Sequence, residues 1–451
     1  MKRIVVLTLL AALLLGAGAD CMAAEQPVLR IYGVQNRLEQ HRAAGMLLDG
    51  IRAEASETGY GEVALAQALL LAPDSLDVLV LQTDMFDIPR MMEKGWLMDL
   101  GQDGELAEIA QQAYPALAEA GMRDGKLYGI PVGLAARTWF ADEQAFDVQG
   151  VQPPATFGQL CALVADWQQD GDEDVLPYML MSASNYRDDL YWKAVQMYLH
   201  DQVQRQAAPL RFDTPLFRAM MAAADGVRAD RVPAARRDPD GIIRRQYLLK
   251  DGMQEYSLIN RTEELDSPPV QYAPLLLSAE ASSQPSFPVV GTLIAVNARS
   301  GQKEAALQYL KAFCAALSEQ DRRMLSPQCE PVENPNAAQA RQQDEQALAA
   351  ARKGIENNDD NKAELAQLVI ELEIRLAAGY DAGGYIISPA ALHEYRTLMT
   401  KAVLQGFQAN AVITNSDIFT VFKRFAAGQI DIEQFIREAD NKLRLMELEG
   451  F

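Results

Sequence analysis

The run Leu76-Asp77-Val78-Leu79-Val80-Leu81 decides how this chain is read. It is short and almost wholly apolar, and the turn Pro73-Asp74-Ser75 sets it off. That is what a strand buried on both faces requires, since a strand with one wet face would alternate apolar and polar residues. Towards the N-terminus, residues 64–71 predict an Ala/Leu-rich helix and residues 61–63 a weak strand. Residues 38–56 carry Leu38, Ala43, Met46, Leu47, Ile51 and Ala55 near helical spacing and predict another helix. Val28-Leu29-Arg30-Ile31-Tyr32 reads as a first strand, ended by Gly33. Strand, helix, strand, helix, strand implies an α/β layer.

Towards the C-terminus, residues 99–121 are helical, and a turn at Asp124-Gly125 leads into a short strand interrupted by Pro131. A helix is expected from Pro153 to Asp166 with Thr156 as its N-cap, followed by helices over 188–204 and 214–228. A loop-rich stretch containing Ser267-Pro268-Pro269 runs to about Ser286; residues 287–297 then restore a strand pattern and 303–317 a helix. After a linker at Asn334-Pro335-Asn336 the chain is expected to be mainly helical, over 337–357, 362–376, 389–405, 417–427 and 431–447.

The 451 residues correspond to two or three domain-sized masses at roughly 150 residues each. The 41 Lys and Arg against 62 Asp and Glu give a net charge of -21, which argues against a nucleic-acid partner because phosphate binding needs a cationic surface. Lys2 and Arg3, an apolar run from Ile4 to Leu15 and small residues after it have the order of a secretory signal over 1–24. The uncharged stretch is shorter than the roughly 18 to 20 apolar residues of a membrane-spanning helix. Cleavage after Ala19 or Ala24 would give a freely exported protein. Cys21 offers a lipid anchor instead, although Asp20 departs from the small residue that such processing normally takes.

Of the remaining cysteines, Cys161, Cys314 and Cys329, at most one pair can form, with Cys314 and Cys329 the local candidate and buried thiols the alternative. His41, His200 and His393 are too dispersed for a zinc motif, and no cofactor or resident metal is expected. The acidic loop Asp170-Gly171-Asp172-Glu173-Asp174 lacks the turn glycine and the final Glu of a calcium loop, which makes it a solvated loop.

Several stretches, in order, resemble the extracellular solute-binding proteins of carbohydrate-type ABC importers. Asp-Gly-Lys-Leu-Tyr-Gly-Ile-Pro at 124–131 is similar to the family's hinge-entering strand, and Thr138-Trp139-Phe140, Phe146 and Gly150 to the aromatic segment after it. Pro153-Pro154-Ala155-Thr156-Phe157 resembles its Pro-x-Thr-Trp helix start, with Phe157 in place of Trp and Ala141 where relatives usually have Asn. Asp77-Val78 with Gly95-Trp96-Leu97-Met98-Asp99-Leu100, the block Gly291 to Val296 with Ala305-Ala306-Leu307, and the tail from Phe425 to Leu443 resemble further family blocks. The resemblance implies a two-lobed periplasmic-binding-protein-like α/β fold of type II with a helical C-terminal extension. It implies an N-terminal lobe of residues 25–136 with 288–330, and a C-terminal lobe of 137–287 with 331–451. It also implies a non-catalytic monomer that captures a small polar ligand, a mono- or oligosaccharide, in a cleft between the lobes and hands it to the membrane permease. Such a protein could serve a sensor instead; an exported glycoside hydrolase is the enzymatic alternative, although no GxSxG elbow, P-loop or dinucleotide fingerprint is present.

Ligands of α/β sheets bind beyond the carboxyl ends of strands. Gln35, Asn36 and Arg37 follow the first strand and offer either hydroxyl recognition or a helix cap; Gln82, Thr83 and Asp84 follow the strand at 76–81 and favour the ligand. Trp139 and Trp192 are candidates for stacking on the CH face of a sugar, with core packing the alternative. Tyr186, Arg187 and Asp188, at the start of the helix that holds Trp192, would supply contacts from the second lobe, or else surface charge and a cap.

Overall fold

The computed structural model describes residues 26–172, 174–180, 183–230, 232, 246–250, 272–333, 336–357, 361–377 and 385–448. The leader over 1–24 with Cys21, the loop Ser267-Pro268-Pro269, Glu173 and the Asn334-Pro335 part of the linker lie outside the described residues. In chain order the elements are β1 (Val28–Tyr32), α1 (Leu38–Leu47), β2 (Arg52–Ala55), α2 (Glu62–Leu71), β3 (Val78–Gln82), α3 (Ile88–Glu93), α4 (Gly104–Gln111), α5 (Pro115–Ala120), β4 (Met122–Arg123), β5 (Lys126–Leu127) and β6 (Ile130–Ala136). Next come β7 (Phe140–Asp142), α6 (Glu143–Gln149), α7 (Phe157–Asp170), β8 (Val175–Tyr178), α8 (Tyr186–Gln204), α9 (Pro215–Asp225), β9 (Gln246–Lys250) and β10 (Tyr272–Pro274). The chain continues through β11 (Phe287–Val296), α10 (Lys303–Ala315), α11 (Glu319–Leu325), β12 (Val332–Glu333), α12 (Ala337–Glu356), α13 (Lys362–Ala377) and β13 (Tyr385–Ile387). It ends with α14 (Pro389–Met399), β14 (Ala402–Leu404), α15 (Phe407–Ile413), α16 (Ser416–Ala426) and α17 (Ile432–Leu448).

Two sheets form the centres of two lobes. The first has the order β14-β11-β3-β1-β2, with β6 also paired to β11, and the second β10-β7-β9-β8. Strand β3 sits inside the first sheet, parallel to β1 and antiparallel to β11. Its side chains alternate between two cores: Val78 and Val80 join Leu29, Ile31 and Phe313 on one face, and Leu79 and Leu81 join Leu65, Phe86 and Trp96 on the other. Asp77, at its start, is buried and receives hydrogen bonds from the Arg30 N–H (2.8 Å) and the Ser300 hydroxyl (2.5 Å), which satisfies the carboxylate away from water. Gly33, at φ +81°, lets the chain leave β1 close to β3, since a Cβ there would lie 2.1 Å from the Val80 carbonyl oxygen.

Pro131 falls within β6 rather than ending it, and the pairing with β11 skips a residue beside it, between Thr292 and Leu293. Such a bulge accommodates a residue with no N–H to offer the ladder. In the second lobe, Thr156 caps α7 as its sequence predicts. Its hydroxyl accepts from the Gln159 N–H at 3.2 Å, and the Thr156 N–H donates in turn to Gln159 Oε1, a reciprocal capping box. The apolar face of α7 (Phe157, Leu160, Val164) then joins α8, α9, α16 and α17 in a single core.

Three local readings change. The helix expected over 38–56 stops at Leu47, and Arg52–Ala55 is the parallel edge strand β2. Residues 61–63, read as a strand, open α2, and the helix read over 389–405 breaks into α14 and β14. The division of the C-terminal part also differs from the expected one. Strand β14 pairs with β11 in the first sheet, and Leu392, Tyr395 and Met399 of α14 lie in the first lobe's core, so only α15, α16 and α17 belong to the second lobe. Helices α12 and α13 pack on each other, tied by Arg352 and Glu373 at 2.5 Å.

Cys161, Cys314 and Cys329 are separate thiols. Burial pushes the Cys161 and Cys314 thiols up to about 12, while Cys329 Sγ donates to the Arg323 carbonyl at 3.0 Å. Among the described residues no helix is long and apolar enough to cross a membrane, and no three His, Cys, Asp or Glu side chains are grouped to hold a metal ion.

Candidate functional site

The chain passes from the first lobe to the second between β6 and β7, returns between β10 and β11, and passes over again between β14 and α15. These three crossings lie together under a cleft of about 620 Å³, within the roughly 300–1,000 Å³ usual for small-molecule sites. Arg137, Thr138, Ser286, Pro288 and Gln405 supply its floor. Asp84, after β3, stands on the first-lobe side. The opposite wall is one face of α8, with Lys193, Gln196, Met197, His200 and Gln204, joined by Asn410 and Ile413 of α15. Asn410 Nδ2 donates to the Asp84 carbonyl at 2.8 Å, a direct bond between the two walls.

Trp139 forms part of the lining and is only 7% exposed. One face of its ring rests on Tyr178, centroids 4.6 Å apart, and the Lys193 ammonium lies 4.6 Å from its centroid. The Asp84 carboxylate is buried. Its Oδ2 lies 3.7 Å from the Arg137 guanidinium and its Oδ1 has no hydrogen-bond partner within the described residues. Burial raises its pKa, partly offset by Arg137. Burial lowers His200 to about 4, so its imidazole is neutral near pH 7. Asp201, the other carboxylate of the lining, is paired with Arg205 at 2.9 Å.

Of the residues singled out from the sequence, the structure brings Asp84 and Trp139 into the cleft. Thr83 lies beside Asp84, but its hydroxyl accepts from the Gly291 N–H (3.1 Å) and ties β3 to β11; Gln82 accepts from the Tyr60 hydroxyl at 3.1 Å. Arg37 is held by Asp321 at 3.0 Å; Gln35 is exposed outside the cleft lining, and the Asn36 side chain lies outside the described residues. Tyr186 is buried, donating to the Tyr178 carbonyl at 2.6 Å, and Arg187 is 3.6 Å from Asp188, which exchanges two hydrogen bonds with Asn185 at the start of α8. Trp192 packs on Phe419 and Phe422, with centroids 5.0 and 4.6 Å away, and does not line the cleft. The sequence reading missed the α8 wall. Lys193, Gln196, Met197, His200 and Gln204 recur at helical spacing, and Trp192 is rotated about 100° away from that face.

Amides and hydroxyls around the exposed part of a largely buried indole can receive a ligand with a polar rim and an apolar face. Comparison with solved structures places this architecture. A solute-binding protein of an ABC transporter from Agrobacterium radiobacter K84, in complex with ribitol, superposes with a TM-score of 0.54 at 12% identity, covering 94% of this chain and 99% of that one. The chain has the two-lobed fold of ABC-transporter solute-binding proteins. A second example, from Agrobacterium vitis S4 with bound D-mannitol, gives 0.53 at 15% identity, with 94% and 99% covered. An ABC substrate-binding protein from Listeria monocytogenes in complex with cycloalternan gives 0.51 at 14% identity, again with 94% and 99% covered. No protein-family model and no curated protein matches the sequence.

Proposed function

We propose that the protein is the solute-binding component of an ABC importer. It captures a sugar or polyol in the interlobe cleft and, as an exported monomer, delivers it to membrane permease subunits. The observation that carries this reading is the cleft itself: its floor is the set of chain crossings, and its walls come from different lobes. A ligand touching both walls favours the closed arrangement by its extra contacts there, and a permease that reads closure then distinguishes loaded from empty protein. The solved proteins with bound ribitol, D-mannitol and cycloalternan support a hydroxyl-rich ligand for this chain. The protein acts without catalysis and without a cofactor.

Thermal unfolding with a panel of monosaccharides, oligosaccharides, polyols and amino acids tests the proposal. A ligand at a hundredfold excess over its Kd stabilises by about 2.7 kcal/mol, a readily visible shift. The reading fails if none of these ligands shifts the melt, or if a glycan is hydrolysed by the purified protein.

A further inference from the structure

The charges of the cleft constrain the ligand further, on the reading that the cleft is a solute site. Of the cations available from the sequence, Arg37 is held by Asp321 and Arg187 by Asp188, both away from the cleft. Asp201 of the lining is held at 2.9 Å by Arg205, an arginine behind the lining that Glu280 also reaches at 3.4 Å. That leaves one carboxylate, Asp84, and two cations, Arg137 and Lys193. The Arg137 to Asp84 separation of 3.7 Å is longer than a direct charge-assisted hydrogen bond, about 2.7–2.9 Å, and the Arg137 side chain is 48% exposed. Lys193 has no carboxylate at ion-pair distance among the described residues; its neighbour is the Trp139 ring. A ring face attracts an ammonium but does not neutralise it. The lining charges not tied to a residue outside it, one anion and two cations, thus sum to a single positive charge on this side of the cleft, in a chain whose overall charge is -21.

We propose that the ligand carries one carboxylate, as a uronic or aldonic acid does, and that Lys193 and Arg137 hold it beside the Trp139 ring. Lys193 stands on the α8 wall and Arg137 on the floor, so a carboxylate between them joins the second lobe to the crossing segments. A single negative charge matches the surplus. A doubly charged phosphate exceeds it and meets the field of an acidic protein.

Isothermal titration with D-glucuronate against D-glucose, D-galacturonate against D-galactose, and digalacturonate against lactose tests this, with glucose 6-phosphate as a separate arm. The acid is expected to bind at least about tenfold more tightly than its neutral counterpart, equivalent to about 1.4 kcal/mol, and the ratio should shrink with added salt. The ratio should fall towards one in Lys193→Gln and persist in Lys193→Arg. If Lys193→Gln does not fold, the wild-type ratios decide. Neutral sugars or polyols binding as tightly as the acids overturn the inference and leave the solute-binding reading standing. Tighter binding of glucose 6-phosphate than of the uronates overturns the carboxylate assignment. A protein that binds none of these and no other small polar ligand overturns both readings.

Discussion

His200 should make this protein lose stability in mild acid by an amount that one substitution removes. Burial on the cleft side of α8 lowers its pKa from 6.5 to about 4. Between those values the unfolded chain takes up a proton that the folded protein refuses, so stability falls as pH falls through this window. Above pH 6.5 both states are neutral and the contribution is flat; below pH 4 both are protonated and it is flat again. One pKa unit is about 1.36 kcal/mol, so the full loss is about 3 kcal/mol, of which about 2 kcal/mol is already lost at pH 5. Because His200 keeps part of its surface at the cleft, these figures are upper limits. Urea unfolding of the wild type and His200→Gln at pH 7 and pH 5 gives a double difference in which every other titrating group cancels. His200→Gln should lose less stability over that interval than the wild type, by about 1 to 2 kcal/mol. A double difference below about 0.5 kcal/mol would show that the imidazole is not desolvated as described.

Two further substitutions separate packing from binding. Trp192→Ala should cost about 3 kcal/mol, because it removes the ring that Phe419 and Phe422 pack against, while ligand affinity measured by titration stays within about twofold. A folded variant whose affinity drops tenfold would return Trp192 to the site. Gly33→Ala should lower the melting temperature sharply, by the equivalent of about 2 kcal/mol or more, since the new Cβ meets the Val80 carbonyl and the backbone is left-handed there. An unchanged melt would mean that β1 leaves the sheet by another path.

The elements legible in the sequence are those whose burial is written in their own residues. Strand β3 is apolar on both faces because both faces are covered, β11 likewise, and Thr156 with Gln159 announces α7. What escaped is structure conferred by distant partners. Strand β2 reads Arg-Ala-Glu-Ala and has no apolar alternation, because it lies at the sheet edge and pairs only with β1; β14 exists because residues 287–289 of β11 lie alongside it. The site divides the same way. Asp84 and Trp139 follow strand ends or crossings, where α/β chains put their ligands. The α8 wall was hidden because a helix spanning 186–204 shows polar residues on several faces, and only the second lobe's core, which claims Tyr191, Ala194, Val195 and Tyr198, decides which face is left for the cleft.

The threefold crossing of the chain also governs when the molecule can fold. The first core needs residues from Leu29 to Met399, and the second from Trp139 to Leu443, so each lobe is assembled from segments far apart in sequence. A chain emerging from the ribosome therefore cannot close its first sheet until β14 has been made, nor its second core until α17 has followed. Contacts over such separations form slowly because loop closure precedes their reward. Each lobe is thus complete only when nearly all of the chain exists.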